Sequence, residues 1–185
     1  MGTIYLLQRL PDIYCLDLSP GLFIFENMNR LQAILLFAML ALPALLSAQK
    51  QVKLSELQKM IHEEGPVKVV NFWATWCGPC VKELPYFERL NQDNKNVKVI
   101  LVSMDYDLDP DPARVKRFID RKKILSEVII LAEEKPNEWI EKIDKSWGGG
   151  LPSTLIINPA NHKRKFIQGE MKEGDLEKLV QEVSQ

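Results

Sequence analysis

The feature that most constrains this chain is a short apolar run followed at once by two cysteines in C-x-x-C spacing. Val67–Trp73 (VKVVNFW) is rich in β-branched and aromatic residues, which predicts a buried strand. Cys77-Gly78-Pro79-Cys80 comes next, and the residues up to Leu90 then place apolar side chains at helical spacing. Residues 97–104 (VKVILVSM) predict a second strand. This order is a βαβ unit, and its two strands are expected to be parallel.

The remaining sequence predicts further elements on both sides of this unit. Before it, a helix around residues 54–61 is stopped by Gly65-Pro66. After it we expect a Pro- and Asp-rich loop at 105–112, a helix at 115–119, a strand at 127–131 and a short helix with Trp139 at 137–143. A hairpin of strands 154–157 and 163–167 and a terminal helix at 173–183 are predicted to follow. The pattern predicts an α/β domain.

Charge and cysteine content exclude some functions. The 185 residues carry 24 Lys and Arg against 25 Asp and Glu, so no basic surface is indicated and we expect no nucleic-acid partner. Three cysteines are too few for a disulfide framework, which favours catalytic or metal-binding use of the C-x-x-C pair. Cys15 lies far upstream, and we interpret it as an incidental thiol.

The N-terminal region predicts export. Residues 31–46 (LQAILLFAMLALPALL) are almost wholly apolar, follow Met28-Asn29-Arg30 and precede Ser47-Ala48, so residues 28–48 are interpreted as a signal peptide. A retained membrane anchor is the alternative, although the run is at the short end for a spanning helix, which needs about 17–25 residues. Both place residues 49–185 across the membrane, in the periplasm or cell envelope. Residues 1–27 carry acidic side chains that are untypical of a signal start. We therefore expect them to be a gene-model extension or disordered, with translation starting at Met28.

The position of the cysteines favours redox chemistry. Cys77 is expected at a helix N-terminus, where free amide groups and the helix dipole stabilise a thiolate, so it is the predicted exposed nucleophile. Pro79 is tolerated in the first helical turn. Cys80 is close enough to attack a mixed disulfide formed at Cys77. The alternatives are a purely structural disulfide and a zinc site, but zinc needs two more ligands and His62 and His162 lack ligand-like spacing. We predict neither a metal nor a cofactor.

Residues 70–80 (VNFWATWCGPC) resemble the active-site segment of thioredoxin-like proteins, and most of all that of exported TlpA/ResA-type thiol–disulfide oxidoreductases. The resemblance covers roughly residues 52–185. It implies a thioredoxin-like α/β fold, with a central mixed sheet flanked by helices. It also implies a family insertion between the βαβ unit and the C-terminal hairpin and helix, which fits residues 124–143.

The same resemblance implies which further residues form the site. Pro152 matches a cis-proline that faces the cysteines, so Leu151 is expected to present its backbone to substrate. Substrate contacts are also expected at Gly78, at Pro79 and at Trp76, which offers a flat apolar surface. Trp147 either flanks the cis-proline loop or packs in the core.

Acid–base chemistry is expected at a glutamate. Asn71 stands where thioredoxin has a buried aspartate and cannot accept a proton, so that proton route is absent or moved. Glu83 matches a glutamate that serves near the site in ResA-like proteins, where its charge and burial would shift the thiol pKa values. The alternative for Glu83 is an ordinary solvated helix carboxylate.

These residues support three hypotheses. The leading one is an exported reductase of protein disulfides, such as those of apocytochrome c, recharged by a membrane electron donor. The Gly78-Pro79 dipeptide resembles that of reducing thioredoxins, which favours this direction. The second is an exported thiol oxidant or isomerase, because the same motif can run in reverse. The third is a non-catalytic binding module on a thioredoxin scaffold.

Overall fold

A computed structural model describes residues 49–185, which are built around a mixed sheet. The predicted extension, the predicted signal or anchor segment and Cys15 lie outside the described residues. The strands, in chain order, are β1 (Gln51–Val52), β2 (Val67–Trp73), β3 (Val97–Ser103), β4 (Glu127–Leu131), β5 (Ser153–Ile157) and β6 (Arg164–Gln168).

The sheet order is β1-β4-β3-β2-β5-β6. The four strands from β1 to β2 in that order are mutually parallel, whereas β5 runs antiparallel to β2 and β6 antiparallel to β5. The parallel pairing of β2 and β3 confirms the predicted βαβ unit. Because parallel strands end at the same edge, the residues that follow β2 and β3 meet there.

Helices cover both faces of the sheet. They are α1 (Leu54–His62), α2 (Gly78–Asp93), α3 (Pro112–Lys122), α4 (Ile140–Ile143) and α5 (Asp175–Ser184), with 3₁₀ turns at Asp105–Asp107 and Pro136–Glu138. Asp111 starts α3 by accepting a hydrogen bond from the Ala113 N–H at 2.9 Å, which satisfies a free amide of the first turn. Within residues 49–185, no helix combines the length and the apolar content that crossing a membrane requires.

The alternation of side chains along β2 divides the core into two layers. Val69 and Trp73 pack on one face with apolar residues of α2, α3 and α5. Val70 and Phe72 pack on the other face with those of α1, α4 and Trp147. The strand is buried along its whole length, as a central strand between two helical layers must be.

The structure confirms the predicted thioredoxin-like fold class and corrects details. The strand predicted at 127–131 within the insertion is confirmed as β4, which lies between β3 and β1 in the sheet. The predicted helix at 137–143 is wrong in its first half. Residues Pro136–Glu138 form a 3₁₀ turn and α4 begins only after Trp139. The two-residue strand β1 was not predicted, because so short a segment carries no periodicity.

Candidate redox site

The two cysteines lie where β2 ends and α2 begins, at the edge where the parallel strands end. They are joined in a disulfide, with their Cα atoms 5.3 Å apart. Cys77 is the N-cap of α2, and its Sγ accepts a hydrogen bond from the Cys80 N–H at 3.3 Å. Cys77 therefore lies at the helix N-terminus that the sequence predicted, and no acidic side chain in the first turn adds a negative charge that would disfavour a Cys77 thiolate.

The two cysteines differ in accessibility, but less than expected. Cys77 is 6% exposed and borders a surface groove, whereas Cys80 has no exposed surface. The expectation of an exposed Cys77 is therefore corrected: walls on both sides of the groove shield most of this residue. Only Cys77 faces the groove, so a partner can reach that sulfur first.

Glu83 is fully buried, so its interpretation as a solvated carboxylate is wrong. It lies one turn after Cys80 on α2. Its Oε1 accepts a hydrogen bond from Asn71 Nδ2 at 2.8 Å, and its Oε2 accepts one from the Met171 N–H at 2.7 Å. Asn71 Nδ2 also donates to Thr154 Oγ1 at 3.1 Å. The carboxyl thus connects α2, β2 and the segment before α5.

Burial dominates the ionisation of Glu83. Removal from water disfavours the carboxylate and raises the pKa of Glu83 to about 7, against the opposing effect of the hydrogen bonds from Met171 and Asn71. A carboxyl with a pKa in this range exchanges its proton near neutral pH, which an ordinary glutamate does not.

A second loop faces the cysteines from the start of β5. The Leu151–Pro152 peptide bond is cis, as predicted. The Gly150 carbonyl accepts hydrogen bonds from Ser153 Oγ at 2.8 Å and from Trp147 Nε1 at 3.0 Å. The indole of Trp147 also packs on Phe72, with ring centroids 4.5 Å apart. Trp147 therefore flanks the loop and packs in the core, so the two alternatives hold together.

A groove of about 370 Å³ runs past Cys77 between the two loops. Its lining is mostly apolar and comes from four parts of the chain: Trp76, Cys77, Pro79, Met104, Asp107, Pro136, Ile140, Trp147, Gly149 and Leu151. Four of the predicted site residues therefore meet in one place. Gly78 lies exposed beside the groove, and Cys80, Glu83 and Pro152 are not among the groove-lining residues.

The sequence did not predict the part of this groove that comes from the loops after β3 and β4. Met104 and Asp107 follow β3, whereas Pro136 and Ile140 come from the insertion. No motif marks them. The available signal was topological, because loops after parallel strands converge at one edge of a sheet and form binding crevices there.

The part of the chain covered by residues 49–185 contains no cluster of three His, Cys, Asp or Glu side chains arranged to hold a metal ion. The cysteine sulfurs are bonded to each other. The chemistry this arrangement offers is reversible thiol–disulfide exchange at one accessible sulfur, backed by a second sulfur within reach.

Comparison with known proteins agrees with this geometry. The family described as Redoxin matches residues 33–181. The thiol-disulfide oxidoreductase ResA of Oceanobacillus iheyensis is 31% identical over 136 residues, which are 74% of this chain and 64% of that protein. ResA of Bacillus anthracis is 29% identical, over 73% of this chain and 70% of that protein. The chain thus spans a little under two thirds of the length of some of these relatives.

Solved structures show the same fold. A thioredoxin-related protein from Neisseria meningitidis serogroup B superposes with a TM-score of 0.57 at 25% identity, over 65% of this chain and 87% of that one. StoA from Bacillus subtilis superposes with a TM-score of 0.52 at 21% identity, over 65% of this chain and 86% of that one. The chain therefore belongs to the Redoxin family and, within it, is similar to the ResA-type thiol–disulfide oxidoreductases.

Proposed function

We propose that this protein is a thiol–disulfide oxidoreductase that reduces disulfides in other proteins, with Cys77 as the nucleophile and Cys80 as the resolving cysteine. One observation carries the proposal. Cys77 caps a helix N-terminus and borders an apolar groove, whereas Cys80 is fully buried and does not line the groove. This asymmetry divides the roles, because only a sulfur that is both accessible and stabilised as a thiolate can begin the exchange.

The exchange balances as two thiolate displacements. The Cys77 thiolate attacks one sulfur of a substrate disulfide, which forms a mixed disulfide and releases the other substrate sulfur as a thiolate. Cys80 then loses its proton and attacks Cys77 Sγ, which forms the Cys77–Cys80 disulfide and releases the second substrate thiolate. Two electrons pass from the protein dithiol to the substrate, and the substrate thiolates take up protons.

The groove is the proposed site for the substrate chain. Trp76 is 50% exposed beside the nucleophile and offers an aromatic surface for an apolar side chain. Pro79 and Leu151 border the same groove. Gly78 leaves the approach open, since a Cβ built there would meet no atom within 4 Å. Leu151, which precedes the cis bond to Pro152, is the proposed substrate contact across the groove from Cys77.

Glu83 is the proposed acid–base partner of the buried thiol. It follows Cys80 by one helical turn, and its pKa of about 7 keeps it partly protonated at neutral pH. We propose that the carboxyl modulates deprotonation of Cys80 in the resolving step: a neutral Glu83 favours the thiolate, and an ionised Glu83 disfavours it.

The proposed location is the cell envelope. The apolar run at 31–46 and its flanking residues support a signal peptide or anchor at 28–48, with the thioredoxin-like domain at 49–185 on the outer side. Each turnover leaves Cys77–Cys80 oxidised, so a membrane dithiol electron donor is the proposed partner. The similarity to TlpA/ResA-type proteins supports apocytochrome c as one substrate. Fusing residues 28–48 to a reporter that is active only outside the cytoplasm tests the location, and an inactive fusion would contradict it.

The catalytic assignment is tested with single cysteine variants. Cys80→Ser is expected to accumulate a mixed disulfide with insulin as a model substrate, because the resolving thiol is missing. Cys77→Ser is expected to form none, and both variants are expected to lose catalysed insulin reduction by dithiothreitol. A mixed disulfide that accumulates in Cys77→Ser but not in Cys80→Ser would reverse the assignment.

A further inference from the structure

A buried carboxylate holds the turn that precedes Cys77. Asp105 is 1% exposed and directly follows Met104 at the end of β3. Its Oδ2 accepts hydrogen bonds from the Thr75 N–H at 3.0 Å and from Ser103 Oγ at 2.8 Å. Its Oδ1 accepts a bond from Thr75 Oγ1 at 2.5 Å. Thr75 therefore binds this carboxylate through both its backbone and its side chain.

Arg114, on α3, contacts both Thr75 and Asp105. Arg114 Nε donates to Thr75 Oγ1 at 3.1 Å and lies 3.9 Å from Asp105 Oδ1. The hydroxyl of Thr75 thus donates its proton to Asp105 and accepts from Arg114. Both bonds involve a charged group, and such bonds are shorter and stronger than neutral ones. The orientation of Thr75 is fixed from two sides.

The network joins the two walls of the groove. The Cys77 N–H donates to the Ala74 carbonyl at 3.1 Å, which closes a turn over residues 74–77. Thr75 lies within this turn, which ends with Cys77 at the helix N-terminus. On the other side, Met104 and Asp107 flank Asp105 and line the groove. Thr75 therefore links the turn that carries Cys77 to the segment that lines the groove after β3.

We propose that Asp105, Thr75 and Arg114 form a positioning network that holds the turn at 74–77 against the end of β3 and thereby keeps Cys77 reactive. The benefit of a helix N-terminus to a thiolate falls off within the first turn, so a displaced sulfur loses part of it. The inference builds on the proposed role of Cys77 as the nucleophile. It adds residues that touch neither substrate nor the reacting sulfurs.

Thr75→Val is the discriminating variant, because it removes the hydroxyl while leaving the shape and both charged partners in place. Loss of such hydrogen bonds is expected to slow alkylation of Cys77 by iodoacetamide about threefold or more near neutral pH, with the rate profile displaced to higher pH. Thr75→Ser retains the hydroxyl and is expected to restore most of the rate. The reduced full chain is used, and peptide mass spectrometry identifies the labelled cysteine, since Cys15 is another thiol.

The readout separates positioning from stability. A Thr75→Val protein whose folded form alkylates with the wild-type rate and pH profile overturns the proposal, whatever its unfolding free energy. Alkylation does not require turnover, so a wild-type protein that fails to reduce insulin contradicts the proposed function without affecting this result.

A second pair of variants serves if Thr75→Val does not fold. Arg114→Met removes the donor to Thr75, and Arg117→Met makes the same change at an exposed position on the same helix. Arg114→Met is expected to slow alkylation about twofold or more relative to Arg117→Met. Equal rates for the two variants overturn the proposal.

Discussion

The burial of Glu83 makes a quantitative prediction about folding. Its pKa lies at about 7 in the fold, against 4.5 for an ordinary glutamate, and each tenfold change in proton affinity corresponds to about 1.4 kcal/mol. The difference is therefore worth up to about 3 kcal/mol. The folded state binds the proton more tightly than the unfolded chain, so the stabilisation is fully present below about pH 4.5. It is lost as pH rises through about 7.

Glu83→Gln removes this titration while keeping the size of the side chain. Between about pH 4.5 and about pH 8, the unfolding free energy of the oxidised wild type is expected to fall by about 2–3 kcal/mol relative to that of the variant. Urea denaturation measures both, and the disulfide form keeps Cys77 and Cys80 from titrating. Glu177→Gln makes the same chemical change at an exposed position and is expected to keep the wild-type pH dependence. Parallel curves for wild type and Glu83→Gln would refute the reasoning.

Three further predictions concern the core, a loop contact and the groove. Leu57→Ala is expected to lower the unfolding free energy by about 2–5 kcal/mol because the side chain is fully buried, whereas Leu125→Ala, at a position 73% exposed, is expected to change it by less than about 0.5 kcal/mol. Glu88 accepts hydrogen bonds from the Leu125 and Ser126 N–H groups at 2.8 and 3.1 Å. Glu88→Ala is therefore expected to lower the unfolding free energy by about 1–3 kcal/mol in the same urea denaturation assay. Trp76→Ala is expected to lower kcat/KM for insulin about threefold or more, with a smaller loss for cystine, and equal losses for both would contradict a role in binding the substrate chain.

Parts of the fold with dense local patterns could be predicted from the sequence. Val67–Trp73 and Glu127–Leu131 were placed with their observed bounds, because consecutive β-branched residues indicate buried strands without help from distant contacts. The position of Cys77 at a helix N-terminus followed from the order of strand, motif and helix. The cis bond before Pro152 came from the family resemblance, not from the local pattern.

Other features depend on partners far apart in sequence and could not be predicted. The burial of Glu83 requires Met171, which is 88 residues away, and the turn at Thr75 is held by Asp105, 30 residues away. In the sequence Asp105 is one of several aspartates in a Pro- and Asp-rich stretch. Only the end of β3 distinguishes it, because pairing with β2 brings that end beside Thr75. Tertiary context decided these sites, and local composition carried no signal for them.

The central claim is that Cys77–Cys80 works as a reductant, and its reduction potential tests this most directly. The full chain is equilibrated with glutathione or thioredoxin redox buffers, and the fraction of Cys77–Cys80 disulfide is measured by alkylation and mass. A value of about −230 to −270 mV is expected for a protein that reduces other disulfides and needs a dedicated electron supply. A value of about −120 mV would make the protein an oxidant and contradict the account.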